Sequence, residues 1–419
     1  MILLSIGLIL LAIFGAPLFT VIAASAMLGY QGEGIDLMAI AIEVLGIASM
    51  PMLSAIPLFT FAGYLLSESN APQRLVRLTD ALLGWMPGGL AMVALAACAF
   101  FTAFTGASGV TIIALGAILY PALKQDGYPD NFNLGLVTTS GSLGLLFAPS
   151  LPLILYGVVA EVSIDNLFRA GVLPGLLMLV LLAGYSLWIS RNSTKVLEPF
   201  SLGKLAAALN AAKWELPLPV VVLGGIYSGY FAVSEAAAVT ALYVLLVEVV
   251  ILREITFTEL PKVMRESMLL VGGILIILGM SLASTNYMID AGVPQQLLAY
   301  ITEYVSSQAN FLILLFVFLL ILGAILDIFS AIVLVVPLIL PIAMQYGVNE
   351  YHLGIVFLAA MQLGYLTPPV GLNLFIASYR FERPIMQVYA ATFPFLVILA
   401  VSVLIIMYWP DLSLLLVPD

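Results

Sequence analysis

Long apolar runs alternate with short polar connections along the whole chain. The runs near 2–29, 46–68, 131–161, 166–190, 214–231, 233–253, 266–288, 352–379 and 386–409 each approach the ~20 residues that carry a helix across a ~30 Å hydrocarbon layer. The pattern predicts an all-α integral membrane fold with about nine crossings. Residues 2–29 lack a basic leader and run longer than a signal-peptide core, so they read as a first span.

Two apolar stretches break the pattern. Residues 89–125 and 309–345 are each interrupted near the middle, the first by Thr105-Gly106-Ala107-Ser108-Gly109. The flanking pieces are about 16 residues, or ~24 Å, too short to cross comfortably. Both stretches therefore read as re-entrant hairpins. The spans that follow are broken by Gly144 to Ser150 and by Gly364 to Gly371, where prolines remove backbone donors and free carbonyls. More polar amphipathic pieces at 72–85 and 294–307 precede the hairpins and read as helices lying along the interface.

These features recur at one spacing: Pro121 with Pro341, Gln125 with Gln345, Gly127 with Gly347, Gly144 with Gly364, Leu146 with Leu366 and Pro149 with Pro369 all differ by 220. The expected plan is a scaffold span in 1–45, a first repeat in 46–190, loops with scaffold spans 214–253 inside 191–265, a second repeat in 266–409, and a tail at 410–419. Five full spans separate equivalent points, and an odd number inverts the second copy. The fold class is an inverted-repeat transporter with two hairpins and two broken helices.

Charge sets the orientation. Arg191, Lys195, Lys204 and Lys213 fill one loop and Arg253, Lys262 and Arg265 another, and the positive-inside rule makes that side cytoplasmic. Arg74, Arg77, Lys124, Arg380 and Arg383 then fall inside as well, and Arg169 is the exception. The N-terminus is expected in the cytoplasm and the C-terminus outside. The first hairpin opens from the cytoplasm and the second from the opposite face.

The composition is 63% hydrophobic and 9% charged, with a formal net charge of −10 spread over loops and helix ends. It supplies no basic footprint for nucleic acid. One cysteine, Cys98, and one histidine, His352, cannot form an intrachain disulfide, a Cys/His zinc site or a paired-His centre. A membrane-embedded enzyme would need a nucleophile with its base, or metal ligands, within the bilayer, and the sequence offers neither.

Unwound backbone at membrane depth must be buried in protein or line a hydrated cavity, so four such breaks predict a central polar site. Half-helix C-termini offer carbonyls to a cation, and N-termini offer amides to an anion. Thr105 and Ser108 are either site lining or hydroxyls bonded back to a helix carbonyl. Thr367 with Asn373 is either site lining beside Pro368-Pro369 or a cap for a broken helix. Asp327 is either functional or the cap of a short helix, while Glu235 at the head of a span reads as a cap. Glu43, Glu161 and Glu248 are expected near span ends reaching water, His352 in a loop, and Cys98 as a packing residue. Trp85, Trp188, Trp214 and Trp409 are expected as interfacial anchors.

The segments TGASGVTIIALGAIL, GYPDNFNLGLVTTSGSLGLLFAPSLPLILYGVVAEVSIDNLFRAGVLPG, SGYFAVSEAAAVTALY and GYLTPPVGLNLFIAS, in that order, resemble the large membrane subunit of tripartite ATP-independent periplasmic (TRAP) transporters. The resemblance implies a sodium-coupled importer of small organic anions such as carboxylates and sugar acids, working by an elevator motion in the bacterial inner membrane. It implies two partners, a periplasmic substrate-binding protein and a small four-helix membrane subunit, and no cofactor beyond sodium as coupling ion. It also implies one sodium site at Thr105, Ser108, Gly144, Phe147 and Pro149. A mirrored site would lie between the tip at Gly323 to Asp327 and Gly364, Thr367 and Pro369. Gly106-Ala107-Ser108 and Ala148-Pro149-Ser150 stand where the family commonly has Gly-Ser-Ser and Pro-Pro-Ser, so a ligand at Ala107 would have to be its carbonyl. The competing reading is a stand-alone sodium/dicarboxylate-type symporter of similar layout that needs no binding protein.

Overall fold

A computed structural model describes residues 7–8, 10–11, 14–47, 49–86, 88–191 and 199–418. Lys195 and the start of the span read at 2–29 lie outside them. Among the described residues six helices are long and apolar enough to cross a membrane, or up to nine if each bent pair is one span.

One group of helices packs around the long helix Leu260–Asp290, which contacts Leu18–Gly32, Met38–Ile47 and Ala55–Glu68; Val233–Leu245 packs in turn on Ala55–Glu68. The span expected at 214–231 is a shorter helix, Pro217–Tyr227. Pro217 starts it at a position where its missing N–H costs nothing, and Gly229, at φ +73°, turns the chain away after it.

The first hairpin is Gly89–Thr105 followed by Ser108–Ala114 and Gly116–Gln125, the last two bent by 49° at Leu115. Both return pieces touch the inbound arm. The second is Gln308–Ile325 and Ile328–Gln345, arms of 18 residues that could each cross by length. Two crossings with a surface connection would place its ends on one side only if the tip reached the far side. Here Phe311 stacks on Tyr346 with ring centroids 4.6 Å apart, and the Tyr346 hydroxyl donates to the Val305 carbonyl at 2.8 Å. Entry and exit are therefore adjacent, and the tip itself packs against the break of a neighbouring span.

The broken spans are Asp130–Leu146 with Leu151–Val159, bent by 43°, and Glu350–Gly364 with Leu372–Arg380. They run antiparallel. Asp130, at the start of the first, pairs at 2.9 Å with Arg383, just past the end of the second. Tyr156, near the end of the first, donates at 2.8 Å to the Glu350 carbonyl at the start of the second. The second half of each broken span packs on the return arm of the other hairpin: Leu151–Val159 on Ile328–Gln345, and Leu372–Arg380 on Ser108–Ala114.

Two sequence expectations are corrected. His352 is not a loop residue: Asn349 caps the helix by accepting the Tyr351 and His352 N–H groups, which draws His352 into its first turn. The ring is 3% exposed and lies 3.1 Å from the Ser413 hydroxyl and 3.3 Å from the Met407 carbonyl. Glu248 does not reach water. It is buried in an ion cluster in which Arg74 reaches Glu215 at 2.5 Å, Glu248 at 3.3 Å and also Glu254. That cluster ties the surface helix Ala71–Leu83 to the segment after Val233–Leu245, and the positive charge and hydrogen bonds of Arg74 are what make three carboxylates near it tolerable. Burial works against ionisation of Glu254, but the Asn70 N–H and the Arg74 guanidinium prevail and hold its carboxyl below the usual range.

Candidate ion and solute cradles

The first hairpin can turn at membrane depth because Gly106 takes the left-handed conformation, φ +65°, that side chains disfavour, and Ala107 is extended before the helix restarts at Ser108. The inbound arm lies directly on the break of its own repeat. A Cβ on Gly144 would sit 2.3 Å from the Ala99 carbonyl oxygen and 2.5 Å from the Ala103 nitrogen. The Thr102 hydroxyl donates to the Gly141 carbonyl at 2.8 Å and so accepts from Thr111 at 2.7 Å. These bonds clamp the two arms and the break together.

Thr105 does not bond back to its helix. Its hydroxyl is fully buried and finds no partner among the described residues, as is also true of Ser150 and Thr139. A buried hydroxyl left without a partner costs roughly 1–3 kcal/mol, so such an oxygen suits a ligand that supplies the missing contact. Pro149 is buried and follows a cis peptide bond, while Phe147 is part-buried.

The second cradle repeats the scheme with different side chains. A Cβ on Gly364 would lie 2.6 Å from the Gly323 Cα, and both partners stand 220 residues beyond Gly144 and Ala103. Pro368–Pro369 is cis, at the same offset from the cis bond of Ala148–Pro149. Asp327 caps the return arm: one oxygen accepts the Phe329 and Ser330 N–H groups at 3.0 Å each, and the other accepts the Ser330 hydroxyl. The Ile328 N–H donates to the Tyr365 hydroxyl at 2.6 Å. Thr367 bonds the Leu363 carbonyl at 3.0 Å, and Pro368, Pro369 and Val370 are exposed, unlike their buried or part-buried counterparts.

Asn373 is not paired with Thr367. It sits fully buried on the second broken span with its carbonyl oxygen accepting the Ser108 hydroxyl at 2.7 Å, so it belongs with the first hairpin's tip. Glu235 accepts the Ala232 N–H at 3.0 Å, the geometry of a helix-start cap. One residue escaped the sequence reading: Gln362, fully buried two positions before Gly364, has neither amide atom bonded among the described residues. An uncharged amide inside an apolar span was the signal that could have found it.

Paired hairpins abutting broken spans, with buried hydroxyls and an amide left unbonded near the breaks among the described residues, are the layout of a membrane transporter permease. The chain belongs to the family of the DctM component of tripartite ATP-independent periplasmic transporters, whose model matches residues 4–412. It is 35% identical over 377 residues to the C4-dicarboxylate TRAP transporter large permease protein DctM of Pseudomonas aeruginosa, covering 90% of this chain and 88% of that protein. It is 31% identical over 420 residues to the ectoine/5-hydroxyectoine large permease protein UehC of Ruegeria pomeroyi, covering 97% and 96%. The crystal structure of the Alcanivorax borkumensis YdaH transporter has the same fold, with a TM-score of 0.65 at 14% identity over 90% of this chain and 89% of that one.

Proposed function

We propose that this large permease imports a small organic anion, a carboxylate or sugar acid, in symport with sodium, across the bacterial inner membrane. The observation that carries the reading is the orphaned Thr105 hydroxyl, fully buried and unbonded among the described residues at the last helical position before the Gly106-Ala107 turn. Sodium prefers such hard oxygen donors. Thr105, Ser108, Gly144, Phe147 and Pro149 would hold one ion, and Asp327, Gly364, Thr367 and Pro369 the other, with Gly106, Ala107, Gly323, Pro368 and Asn373 lining the solute space between. Membership of a tripartite family supports a periplasmic binding protein and a small membrane subunit as partners. The stand-alone symporter reading loses its basis with that membership. The two named relatives serve different solutes, a C4-dicarboxylate and ectoine, so kinship alone does not choose this chain's solute.

Transport would proceed as the hairpin and broken-span unit shifts against the helices around Leu260–Asp290. In this reading the N-terminus lies in the cytoplasm and the C-terminus in the periplasm, and the two cradles together open to one side and then the other. Two inward sodium ions at ~100 mV supply about 4.6 kcal/mol electrically, and tenfold gradients add about 2.8 kcal/mol. That exceeds the about 2.3 kcal/mol the field takes back from one negative charge on the solute.

The test is uptake by proteoliposomes holding this chain, its small subunit and a solute-loaded binding protein. Accumulation is expected only with inward sodium, and uptake that proceeds equally in potassium would refute the proposal. Thr105→Val gives a finer check. It removes a hydroxyl that makes no bond among the described residues, so thermal stability should hold or rise, while half-saturating sodium should climb roughly tenfold for one lost ligand worth about 1.4 kcal/mol. Loss of stability with unchanged sodium dependence would assign that hydroxyl to packing.

A further inference from the structure

We infer that Asn373 is a positioning residue that makes the two ion cradles cooperative, through a two-residue bridge joining the hairpin tips. The inference rests on the proposed sodium reading and adds to it.

The bridge starts at the second hairpin. The Gly371 N–H donates to the Ala324 carbonyl at 3.1 Å, at the end of the inbound arm. Gly371 sits at φ +59°, and its Cβ would lie 2.9 Å from the Thr367 carbonyl oxygen, so this residue is wedged between hairpin and break. Two residues on, Asn373 accepts the Ser108 hydroxyl at 2.7 Å. Ser108 is the first residue of the return arm, directly after the Thr105 to Ala107 turn.

The same half-helix grips the rest of that short arm. A Cβ on Gly109 would lie 2.6 Å from the Ile376 Cδ1, and Arg380 donates to the Ile113 carbonyl at 3.2 Å. Asn373, Ile376 and Arg380 fall on one face at spacings of three, four and seven. The piece Ser108–Ala114 is thus bolted along Leu372–Arg380, while the Thr111 hydroxyl ties it to Thr102 of the inbound arm. An ion that orders the break at Gly364 to Gly371 would fix the half-helix carrying Asn373, and with it the tip that forms the other cradle. Linkage makes the effect mutual.

The bridge is one-sided. The positions 220 residues away from Ser108 and Asn373 are Ile328 and Leu153, neither able to make the bond. Cooperation between the cradles therefore runs mainly through this side-chain contact at the tip, with the Arg380 bond to the Ile113 carbonyl as the second polar tie between the same two elements. The Asn373 amide nitrogen, buried without a partner among the described residues, leaves the side chain no second anchor.

The experiment titrates sodium chloride, at constant ionic strength with choline chloride, against the thermal midpoint of the purified permease with its small subunit. Wild type is expected to rise steeply, with a Hill coefficient approaching two. Asn373→Ala should flatten this toward one and raise half-saturating sodium roughly fivefold or more. Arg380→Ala, at an exposed position that does not endanger folding, should shift both values in the same direction by less. A lower baseline midpoint with unchanged steepness in both variants overturns the bridge alone. Absence of sodium stabilisation in wild type overturns the sodium reading, and the bridge with it.

Discussion

Gly364→Ala and Gly144→Ala should each yield protein that is poorly folded and inactive in uptake. The added methyl at position 364 would meet backbone on the facing arm, 2.6 Å from the Gly323 Cα and 2.7 Å from its carbonyl carbon; at 144 it would meet the Ala99 oxygen at 2.3 Å. Neither contact can be relieved by a side chain turning aside. Overpacking costs about 1–3 kcal/mol even where side chains can adjust, and more is expected where two backbones must part. Gly184→Ala is the control, since a Cβ there has nothing within 4 Å in a helix interior and alanine should stabilise by about 0.5–1 kcal/mol. The readings are the thermal midpoint in detergent and sodium-driven uptake. A Gly364→Ala protein matching wild type in both would mean that hairpin and break are not in the contact described.

Arg74→Ala is expected to be the most damaging change outside the cradles. Its guanidinium uses Nε and both terminal nitrogens to serve Glu215, Glu248 and Glu254, and the first two carboxylates are 2% and 1% exposed. Removing one partner of a buried charge set costs about 3–5 kcal/mol because the remaining charges stay desolvated. Arg74→Lys should recover only part, since one ammonium cannot reproduce a planar three-way fork. The deficit has a sign in pH. Stranded carboxylates bind protons more readily in the folded protein than in the unfolded chain, so the gap to wild type should narrow as pH falls from about 8 to about 5. A gap that is constant or widens over that range would mean that lost packing, not stranded charge, explains the defect.

The joint around Arg74 also bears on the proposed motion. It fixes the surface helix that leads into the first hairpin to the segments flanking Pro217–Tyr227 and Val233–Leu245. The hairpin's lead-in is thus held to the outer helices by charge, and the return arm of the second hairpin is held to Leu260–Asp290 by the Ser281 hydroxyl donating to the Val333 carbonyl at 2.8 Å.

Much of this architecture was written in the residue pattern. Apolar runs of membrane length demand helices, because lipid offers backbone groups no other partner. The breaks were legible for an equally local reason: glycine and proline gather at 106, 144, 149, 364, 369 and 371, and such clusters weaken helical bonding, although single prolines such as Pro174 and Pro394 are carried inside helices. Their recurrence at 220 was the basis for expecting two repeats, without any knowledge of packing. Partnerships were another matter. Which acceptor receives the Ser108 hydroxyl is settled by a residue 265 positions away, and hydroxyl, amide and carboxylate look alike in a string of letters whether bonded or orphaned. So Asn373 was read beside Thr367, Glu248 near water and His352 in a loop, and Gln362 was passed over. Chain composition dictated where helices must exist and where they must fail; only the packing of one repeat's half-helix on the other repeat's hairpin decided which polar groups face each other, because burial removes water as the default partner and leaves geometry to choose the next one.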